Sequence, residues 1–307
     1  MAADGKSLIT SVGSQDSTVW LHDKDGDHQI SSEGNAAEPS FSGDGSSLYY
    51  LMANGRTPGY ELRVEDLTGG KEERVLPGYS METYSVSRDG KMVAFAMNDS
   101  SGQSSLWVAF TDRRSSPTRI SSTALEDSPH FLPDGDLVFR AIEGGSNFLY
   151  RMKPDGTGRR KISSRRVFDI MAVSPDGRWV VGGSPVPSEE VKASASTASV
   201  RTTAFPVDGG EAIPLCQVYC LLTWNPGGTL LYIYFPSLHD EGSYALPVLR
   251  GTGLPDLPPS GIAHIEDLKA AKPAAVIPQF VNSAISPSVY AYTRRNTRRN
   301  LYRIPLP

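Results

Sequence analysis

Four acidic residues recur at similar intervals in this 307-residue chain. Glu82, Asp127 and Asp169 each lie five residues before the same point of a repeated turn, and Glu38 is one residue out of step. Carboxylates gathered around one opening would attract a cation or a basic peptide, because low-dielectric walls strengthen the attraction. The alternative is that each carboxylate caps its own strand or pairs with an arginine of a neighbouring repeat. The sequence supports both interpretations.

One histidine has a defined position in the same repeat, in a different column from the acids. His130 belongs to a column of mostly small residues in the repeat, where it either makes a structural hydrogen bond or contacts a ligand. The other four histidines show no metal-ligand spacing such as His-x-x-x-His; they are His22, His28, His239 and His264. The candidate ligand-binding residues are therefore Glu38, Glu82, Asp127, Asp169 and His130.

Motifs of common catalytic sites do not occur in the sequence. Gly182-Gly183-Ser184-Pro185 continues into proline, which does not open the strained turn of a Gly-x-Ser-x-Gly nucleophile. A Gly-rich phosphate loop, a His-Arg-Asp motif and an Asp-Phe-Gly motif are missing as well. Asp23, Asp25 and Asp27 resemble the opening of a calcium loop, but Gly34 stands where a bidentate Glu is required, which favours a plain hairpin. We expect no cofactor and no metal.

The elements that must position these residues are marked by a repeated turn of the form Ser-x-Asp-Gly. In such a turn the aspartate carboxylate caps the turn, and glycine accepts positive φ without a clash. Spacings between successive turns are 40, 45, 45, 42, 51 and 61 residues. The turns are Ala3-Asp4-Gly5, Gly43-Asp44-Gly45, Arg88-Asp89-Gly90, Pro133-Asp134-Gly135, Pro175-Asp176-Gly177, Pro226-Gly227-Gly228 and Pro287-Ser288.

A short strand precedes each complete repeat's turn and alternates large apolar with small residues, as a strand does when its two faces differ. The large residues are Phe41, Val86, Phe131, Val173, Trp224 and Ile285, and we expect them to pack between sheets. The small ones are Ser40, Ser85, His130, Ala172, Thr223 and Ala284, as an innermost strand beside a channel requires.

Four strands per repeat with a polar outermost edge predict an all-β protein, a β-propeller of four-stranded antiparallel blades. The turns give seven blades, with six as the alternative, and the terminal blades are incomplete. Residues 1–307 form a single domain, with insertions at about 184–199 and 236–273. Residues 265–271 are expected to form a short helix. The mid-repeat start suggests either a coding region that begins further upstream or an irregular closure of the ring.

Bulk composition limits the other function classes. A formal charge of −4 gives no global attraction to nucleic acid or anionic lipid, and the arginine pairs Arg294-Arg295 and Arg298-Arg299 are expected on a solvated edge. The two cysteines, Cys216 and Cys220, are more consistent with buried thiols than with a bridge. The sequence contains no signal peptide and no membrane segment. We expect a monomer without nucleic-acid or membrane partners.

The Asp-Gly repeats resemble those of TolB-like propellers, which also occur as the non-catalytic propellers of prolyl oligopeptidases and dipeptidyl peptidases. Residues 243–249 and 300–304 are similar to the C-terminal propellers of bacterial membrane Ser/Thr kinases. That second resemblance implies a sensor region outside the membrane, fused to a kinase or regulator domain; without such a fusion, a cytoplasmic location is expected.

These patterns predict a non-enzymatic recognition or sensor module in bacterial signalling, which binds a protein, a peptide or a small ligand. The alternative is a lactonase-like propeller hydrolase or lyase with a metal or carboxylate site at the channel mouth.

Overall fold

A computed structural model describes residues 7–32, 35–53, 55, 59–121, 125–187, 200–236 and 242–305. Three positions discussed above lie outside them: the predicted turn at Ala3-Asp4-Gly5, Gly34 and His239. The insertion predicted at 184–199 is described up to residue 187, and the one predicted at 236–273 is described without residues 237–241.

The described residues form six antiparallel sheets of four strands each. The chain begins with β1 (Ser7–Asp23) and β2 (Gly26–Gln29). Blade 1 consists of β3 (Ala36–Phe41), β4 (Ser47–Ala53), β5 (Tyr60–Asp66) and β6 (Lys71–Arg74). Blade 2 consists of β7 (Thr83–Val86), β8 (Met92–Asn98), β9 (Ser104–Phe110) and β10 (Thr118–Arg119). Blade 3 consists of β11 (Glu126–Phe131), β12 (Leu137–Glu143), β13 (Ser146–Met152) and β14 (Arg160–Lys161).

Two further blades follow in the same order. Blade 4 consists of β15 (Ala172–Val173), β16 (Trp179–Pro185), β17 (Val200–Pro206) and β18 (Ile213–Cys216). Blade 5 consists of β19 (Leu221–Trp224), β20 (Leu230–Tyr234), β21 (Ser243–Pro247) and β22 (Ala275–Ile277). The chain then forms β23 (Val281–Ser283) and β24 (Tyr290–Pro305), which join β1 and β2 in the closing blade, in the order β2-β1-β24-β23.

The repeated turn is a small hydrogen-bond network. In blade 1, Ser42 Oγ donates to Asp44 Oδ1 over 2.6 Å, and the same carboxylate oxygen accepts the Ser46 amide at 3.0 Å. The Ser42 hydroxyl also accepts the amide of Ser47, the first residue of β4, at 3.0 Å. The next residue after the aspartate, Gly45, has a φ of +75°, which only glycine adopts without strain. The turn therefore connects the innermost strand to the second strand, as predicted.

Six clusters of buried apolar side chains lie between neighbouring sheets, one at each boundary. Leu51 of blade 1 packs with Phe95 of blade 2, for example. The closing blade packs on both of its neighbours, since Val19 belongs to a cluster with Tyr50 of blade 1 and Tyr292 to one with Tyr232 of blade 5. The sheets therefore close into a ring, and the chain is a β-propeller.

Of the two blade counts that the sequence allows, the described residues have six. Counting turns gave seven because the first and last repeats were counted as separate, incomplete blades. Their strands instead share one sheet, in which β1 pairs with β24 over sixteen residues, from Ser7 with Pro305 to His22 with Tyr290. Antiparallel pairing of the two chain ends completes the ring without an extra blade.

The last repeat is shifted by two residues from its predicted register. The Ala284 amide donates to the carbonyl of Val289 at 2.8 Å, the bond that Ser42 makes with Ser47 in blade 1. Asn282, not Ala284, is therefore the channel-facing residue, and Ile285 is 54% exposed and does not join the apolar column. The sequence misled here because neither Asp nor Gly marks this turn.

The predicted insertion at 236–273 contains β21, the third strand of blade 5. The true excursion from the blade is therefore residues 248–274, and it includes helix α1 (Ile265–Ala270), close to the helix expected at 265–271. Asp267 Oδ2 accepts the amides of Ala263 and His264 at 2.9 and 3.0 Å and fixes the start of this helix. Among the described residues, no helix has the length and apolarity that crossing a membrane would require.

Candidate functional site

The innermost strands surround a channel that widens at the end where these strands begin. A cavity of about 700 Å³ opens there. All six channel-facing inner-strand residues contribute to its wall: Ser40, Ser85, His130, Ala172, Thr223 and Asn282. We call this opening the channel mouth, and its polar and charged lining includes Glu38, Tyr84, His130, Asp169, Tyr219 and Arg295. The opposite end, beside the repeated turns, holds a smaller cavity of about 230 Å³.

Glu38 lines the channel mouth at an irregular point of β3. The pairing of β3 with β4 shifts between Ala37 and Ser40, and Glu38 has a φ of +54°. Such a bulge re-aims the side chain of its extra residue. The same irregularity in blade 3 has Ser128 at this position, with a φ of +52°, and its acid Asp127 one residue earlier. No described residue donates a hydrogen bond to its carboxylate. Water reaches Glu38, yet the surrounding channel wall replaces part of its hydration shell, and this desolvation raises the pKa of its carboxyl.

Asp169 also lines the channel mouth, but two donors hold its carboxylate. Oδ1 accepts the Gly183 amide at 2.6 Å, and Oδ2 accepts the hydroxyl of Tyr219 at 2.5 Å. The approach depends on glycine, because a Cβ on Gly182 would lie 2.1 Å from the carbonyl oxygen of Asp169. Burial, and secondarily the hydrogen bond to Asp169, raise the pKa of Tyr219. This tyrosine therefore remains a donor at neutral pH.

Asp127 is paired and does not line the mouth. Its oxygens accept from Arg140 Nε at 2.7 Å and Nη2 at 2.6 Å, a two-point ion pair between residues that face each other on β11 and β12. Arg140 Nη1 also donates to the carbonyl of Phe168. The hydrogen bonds that Arg140 donates to Asp127 raise the pKa of Arg140. Asp127 thus follows the alternative interpretation, pairing with an arginine, although the arginine belongs to its own blade.

Glu82 is half-buried and lies outside the cavity wall. Its Oε1 is 3.3 Å from the position that a Cβ on Gly59 would take, and its backbone amide donates to the carbonyl of Ala96 at 2.9 Å. The four aligned acids therefore do not form a continuous ring: Glu38 and Asp169 share the mouth, and Glu82 and Asp127 do not.

His130 lies in the cavity wall as expected. Its Nδ1 is 3.2 Å from the carbonyl oxygen of Ser128, so this nitrogen is the donor in the neutral ring and Nε2 is left as an acceptor. Burial lowers the pKa of His130, and the ring is therefore neutral at pH 7. His130 therefore makes the structural hydrogen bond and also faces the channel, so the first of the two interpretations does not exclude the second.

Sequence reasoning missed three residues of the mouth. Tyr84 donates from its hydroxyl to the carbonyl of Glu38 at 2.7 Å and supports the bulge. Arg295 is exposed, as expected, but it also lines the cavity, because β24 runs past the channel mouth beyond its last pair with β23 at Tyr292. Tyr219 reaches the mouth from the short loop between Cys216 and Cys220. Its position between two cysteines was the signal in the sequence that could have identified it.

The two cysteines form a disulfide. Cys216 and Cys220 are both fully buried and bonded to each other, contrary to the expectation of free thiols. Two cysteines alone make no disulfide framework that the sequence could reveal, but the chain turns sharply between β18 and β19 and brings the two Cα atoms to 6.3 Å, within the range that a disulfide spans.

The other candidate sites have structural partners. The Asp23 turn is the hairpin between β1 and β2, as expected: Asp23 Oδ1 accepts the Asp25 amide at 2.8 Å and lies 3.0 Å from His28 Nε2. In the part of the chain that the structure describes, no three His, Cys, Asp or Glu side chains are grouped as a metal site would need.

Comparison with solved structures gives the class of the fold. The chain superposes on a putative TolB from Agrobacterium tumefaciens with a TM-score of 0.63 and 16% identity, over 92% of this chain and 99% of that one. It also resembles TolB from Acinetobacter baumannii, with a TM-score of 0.56 and 15% identity over 76% of this chain and 60% of that one. The predicted resemblance to TolB-like propellers is thus confirmed for the fold.

Propellers with other titles are similar too. An oligogalacturonate lyase in complex with manganese has a TM-score of 0.52 and 16% identity, over 79% of this chain and 82% of that one. At these identities the likeness concerns architecture, and the function must be argued from the site. No protein-family model and no curated protein sequence matches the chain.

Proposed function

We propose that this propeller is a non-enzymatic recognition module that receives a positively charged group of a peptide or protein at the channel mouth. The observation that carries the proposal is Glu38: a carboxylate in the wall of a cavity of about 700 Å³, without a described hydrogen-bond donor, in a mouth that the neutral His130 also lines. The channel wall removes part of the hydration of the Glu38 carboxylate. A cation bound next to the carboxylate would compensate for this loss by a direct electrostatic interaction.

The neighbouring groups give the mouth its selectivity. Asp169, which precedes β15 of blade 4, adds negative charge on the opposite side of the mouth from Glu38 of blade 1, while its two donors keep it fixed. Arg295 lines the mouth from the closing blade, the neighbour of blade 1, and would repel a purely cationic ligand, but it can pair with a carboxylate. A peptide segment that carries a lysine or a free amine together with a carboxylate therefore fits better than an isolated metal ion.

The disulfide bears on where such a module works. Disulfides persist in oxidising compartments and are rare in reducing ones. The Cys216–Cys220 bond therefore supports a location outside the cytoplasm, as the resemblance to membrane-kinase sensors implies. A sensor role in bacterial signalling, fusion to a kinase or regulator, and a monomeric state remain predictions from the sequence.

The test is a binding titration, at low ionic strength, with a fluorescein-labelled peptide of alternating lysine and glycine that ends in a free carboxylate, so that it carries both groups. Glu38→Gln should weaken binding about tenfold, equal to about 1.4 kcal/mol. The matched control is Glu211→Gln, the same change at an exposed position of blade 4, which should leave the affinity unchanged. A peptide of alternating glutamate and glycine should bind more weakly.

Equal affinity of the wild-type chain and Glu38→Gln would overturn the proposal. Stoichiometric calcium binding combined with turnover of a lactone would overturn its non-enzymatic part and favour the hydrolase alternative.

A further inference from the structure

The Cys216–Cys220 disulfide lies where the chain crosses from the outer edge of blade 4 to the innermost strand of blade 5. Cys216 ends β18, and β19 begins directly after Cys220. The connection is only three residues long between the cysteines, and it has to deliver the chain to the channel wall. Its conformation therefore decides what the chain presents at the mouth.

Both ends of this connection are fixed to blade 4. Cys216 is the strand partner of Thr202, and the Cys220 amide donates to the hydroxyl of Thr202 at 2.9 Å. The backbone amide of Gln217 donates to the carbonyl of Ile262 at 2.8 Å. This bond connects the outer side of the loop to the excursion 248–274. Between these points the loop projects Tyr219 into the channel mouth.

Tyr219 in turn fixes Asp169. Its hydroxyl is one of only two described donors to that carboxylate, the other being the Gly183 amide. The ring packs against Gly183, since a Cβ at this glycine would lie 3.1 Å from Tyr219 Cε2. A displacement of the loop would therefore remove one donor from Asp169 and open the wall of the mouth at the same place.

We propose that the Cys216–Cys220 disulfide is a positioning element of the channel mouth, which holds Tyr219 against Asp169 so that this carboxylate faces the bound cation. The inference rests on the proposed function for its ligand, but the positioning itself does not need one. A crosslink around three residues removes most alternative conformations of the loop and so preorganises the contact before a ligand arrives.

Three variants test the proposal with the lysine-glycine peptide: Tyr219→Phe, the double variant Cys216→Ala with Cys220→Ala, and their combination. Alanine is preferred to serine because a buried hydroxyl without a partner is itself destabilising. Tyr219→Phe and the double alanine variant should each weaken binding about tenfold. The combination should be no weaker than either, because both changes break the same contact.

A readout without peptide separates this proposal from the proposed function. Amide hydrogen exchange at Gly183 reports whether Asp169 stays in place, and it should accelerate in all three variants. Exchange at Gly90, whose amide bonds the carbonyl of Ser87 in blade 2, should remain unchanged and shows that the fold is intact. If the wild-type chain does not bind the peptide, the proposed function fails, while the exchange at Gly183 still decides the positioning.

Wild-type exchange at Gly183 in the disulfide-free variant, or additive losses of affinity in the combined variant, would overturn the proposal. Should the disulfide-free chain fail to fold, Tyr219→Phe decides alone: unchanged affinity and unchanged Gly183 exchange would contradict it.

Discussion

The hydroxyl of Ser42 and the carboxylate of Asp44 lie 2.6 Å apart and form the hydrogen bond on which the repeated turn depends. The same bond joins Ser87 to Asp89 at 2.7 Å and Ser174 to Asp176 at 2.6 Å, in blades 2 and 4. In blade 5, Asn225 alone takes both roles, accepting the amides of Thr229 and Leu230 at 2.9 Å. The aspartates of the repeats are therefore architectural, in contrast to Glu38.

The first prediction concerns the acid titration of this turn. The hydrogen bond from Ser42, followed by those from Ser46, lowers the pKa of Asp44 to about 2. Since the pKa is lower in the folded chain than in the unfolded chain, Asp44 stabilises the fold above its unfolded pKa, and this contribution is lost as the pH falls towards about 2. Ser42→Ala should raise the pKa of Asp44, as measured by NMR titration of the carboxyl carbon.

Asp89 serves as the internal reference for that titration. Its own serine, Ser87, lowers its pKa, and Ser42→Ala should not change it. An Asp44 that titrates in the ordinary range in the wild-type chain would show that the turn is not held as described.

The second prediction concerns Glu38, where folding shifts the carboxyl pKa in the opposite direction. Folding raises the pKa of this carboxyl, so its ionised form is disfavoured in the folded chain, and stability is lost as the pH rises through the folded pKa. Glu38→Gln should therefore raise the Tm at pH 7 and leave it unchanged at pH 3, where the carboxyl is protonated in both states. Thermal melts at both pH values, with Glu211→Gln as the control, measure this. A lower Tm at pH 7 would mean that Glu38 has a stabilising partner.

The third prediction concerns the glycine beneath the Asp169 backbone. A Cβ on Gly182 would be 2.1 Å from the carbonyl oxygen of Asp169, so Gly182→Ala must move backbone and should cost about 1–3 kcal/mol in urea unfolding. Gly227→Ala is the matched control, since its Cβ would meet its nearest neighbour at 3.6 Å, an ordinary contact. Similar stability of the two variants would contradict the close approach.

The fourth prediction compares two parts of the pairing between β1 and β24: the part inside the closing blade, and the extension in which residues 7–15 pair with residues 297–305. A chain that ends at Ser288 loses β24 and exposes the faces of Tyr50 and Tyr232, so it should not unfold cooperatively. A chain that ends at Asn296 keeps every pair of β24 with β23 and the seven pairs with β1 from Asp16 to His22, and its Tm should change by only a few degrees. Circular dichroism melts compare them. Cooperative unfolding of the shorter chain would show that the ring does not need this closure.

The sequence predicts the architecture well because the repeat is local. A Ser-x-Asp-Gly turn closes through hydrogen bonds among six consecutive residues, so each blade can be recognised from its own segment. Closure is not local: the pairing of Ser7 with Pro305 joins the two ends of the described chain, and the turns alone cannot distinguish six blades from seven. The shifted last repeat was missed because its turn has lost both marker residues.

The site is less predictable for a similar reason. Aligning the repeats with one another identified Glu38, Asp127 and Asp169 as candidates. Whether each carboxylate has a hydrogen-bond or ion-pair partner depends on residues from elsewhere in the chain. Arg140 neutralises Asp127 from the next strand, and Tyr219 reaches Asp169 across fifty residues. Glu38 differs because it is itself the bulge residue, whereas the same bulge in blade 3 holds Ser128 and leaves the acid, Asp127, one residue earlier beside Arg140.

The central claim is that the channel mouth around Glu38 is the binding surface, and NMR titration of the labelled chain with the lysine-glycine peptide tests it most directly. The amide signals of Glu38, Tyr84, His130 and Asp169 should shift, and those of the turn glycines Gly90 and Gly177 should stay in place. Shifts confined to the turns or to the outer blade edges, with the mouth unaffected, would contradict it.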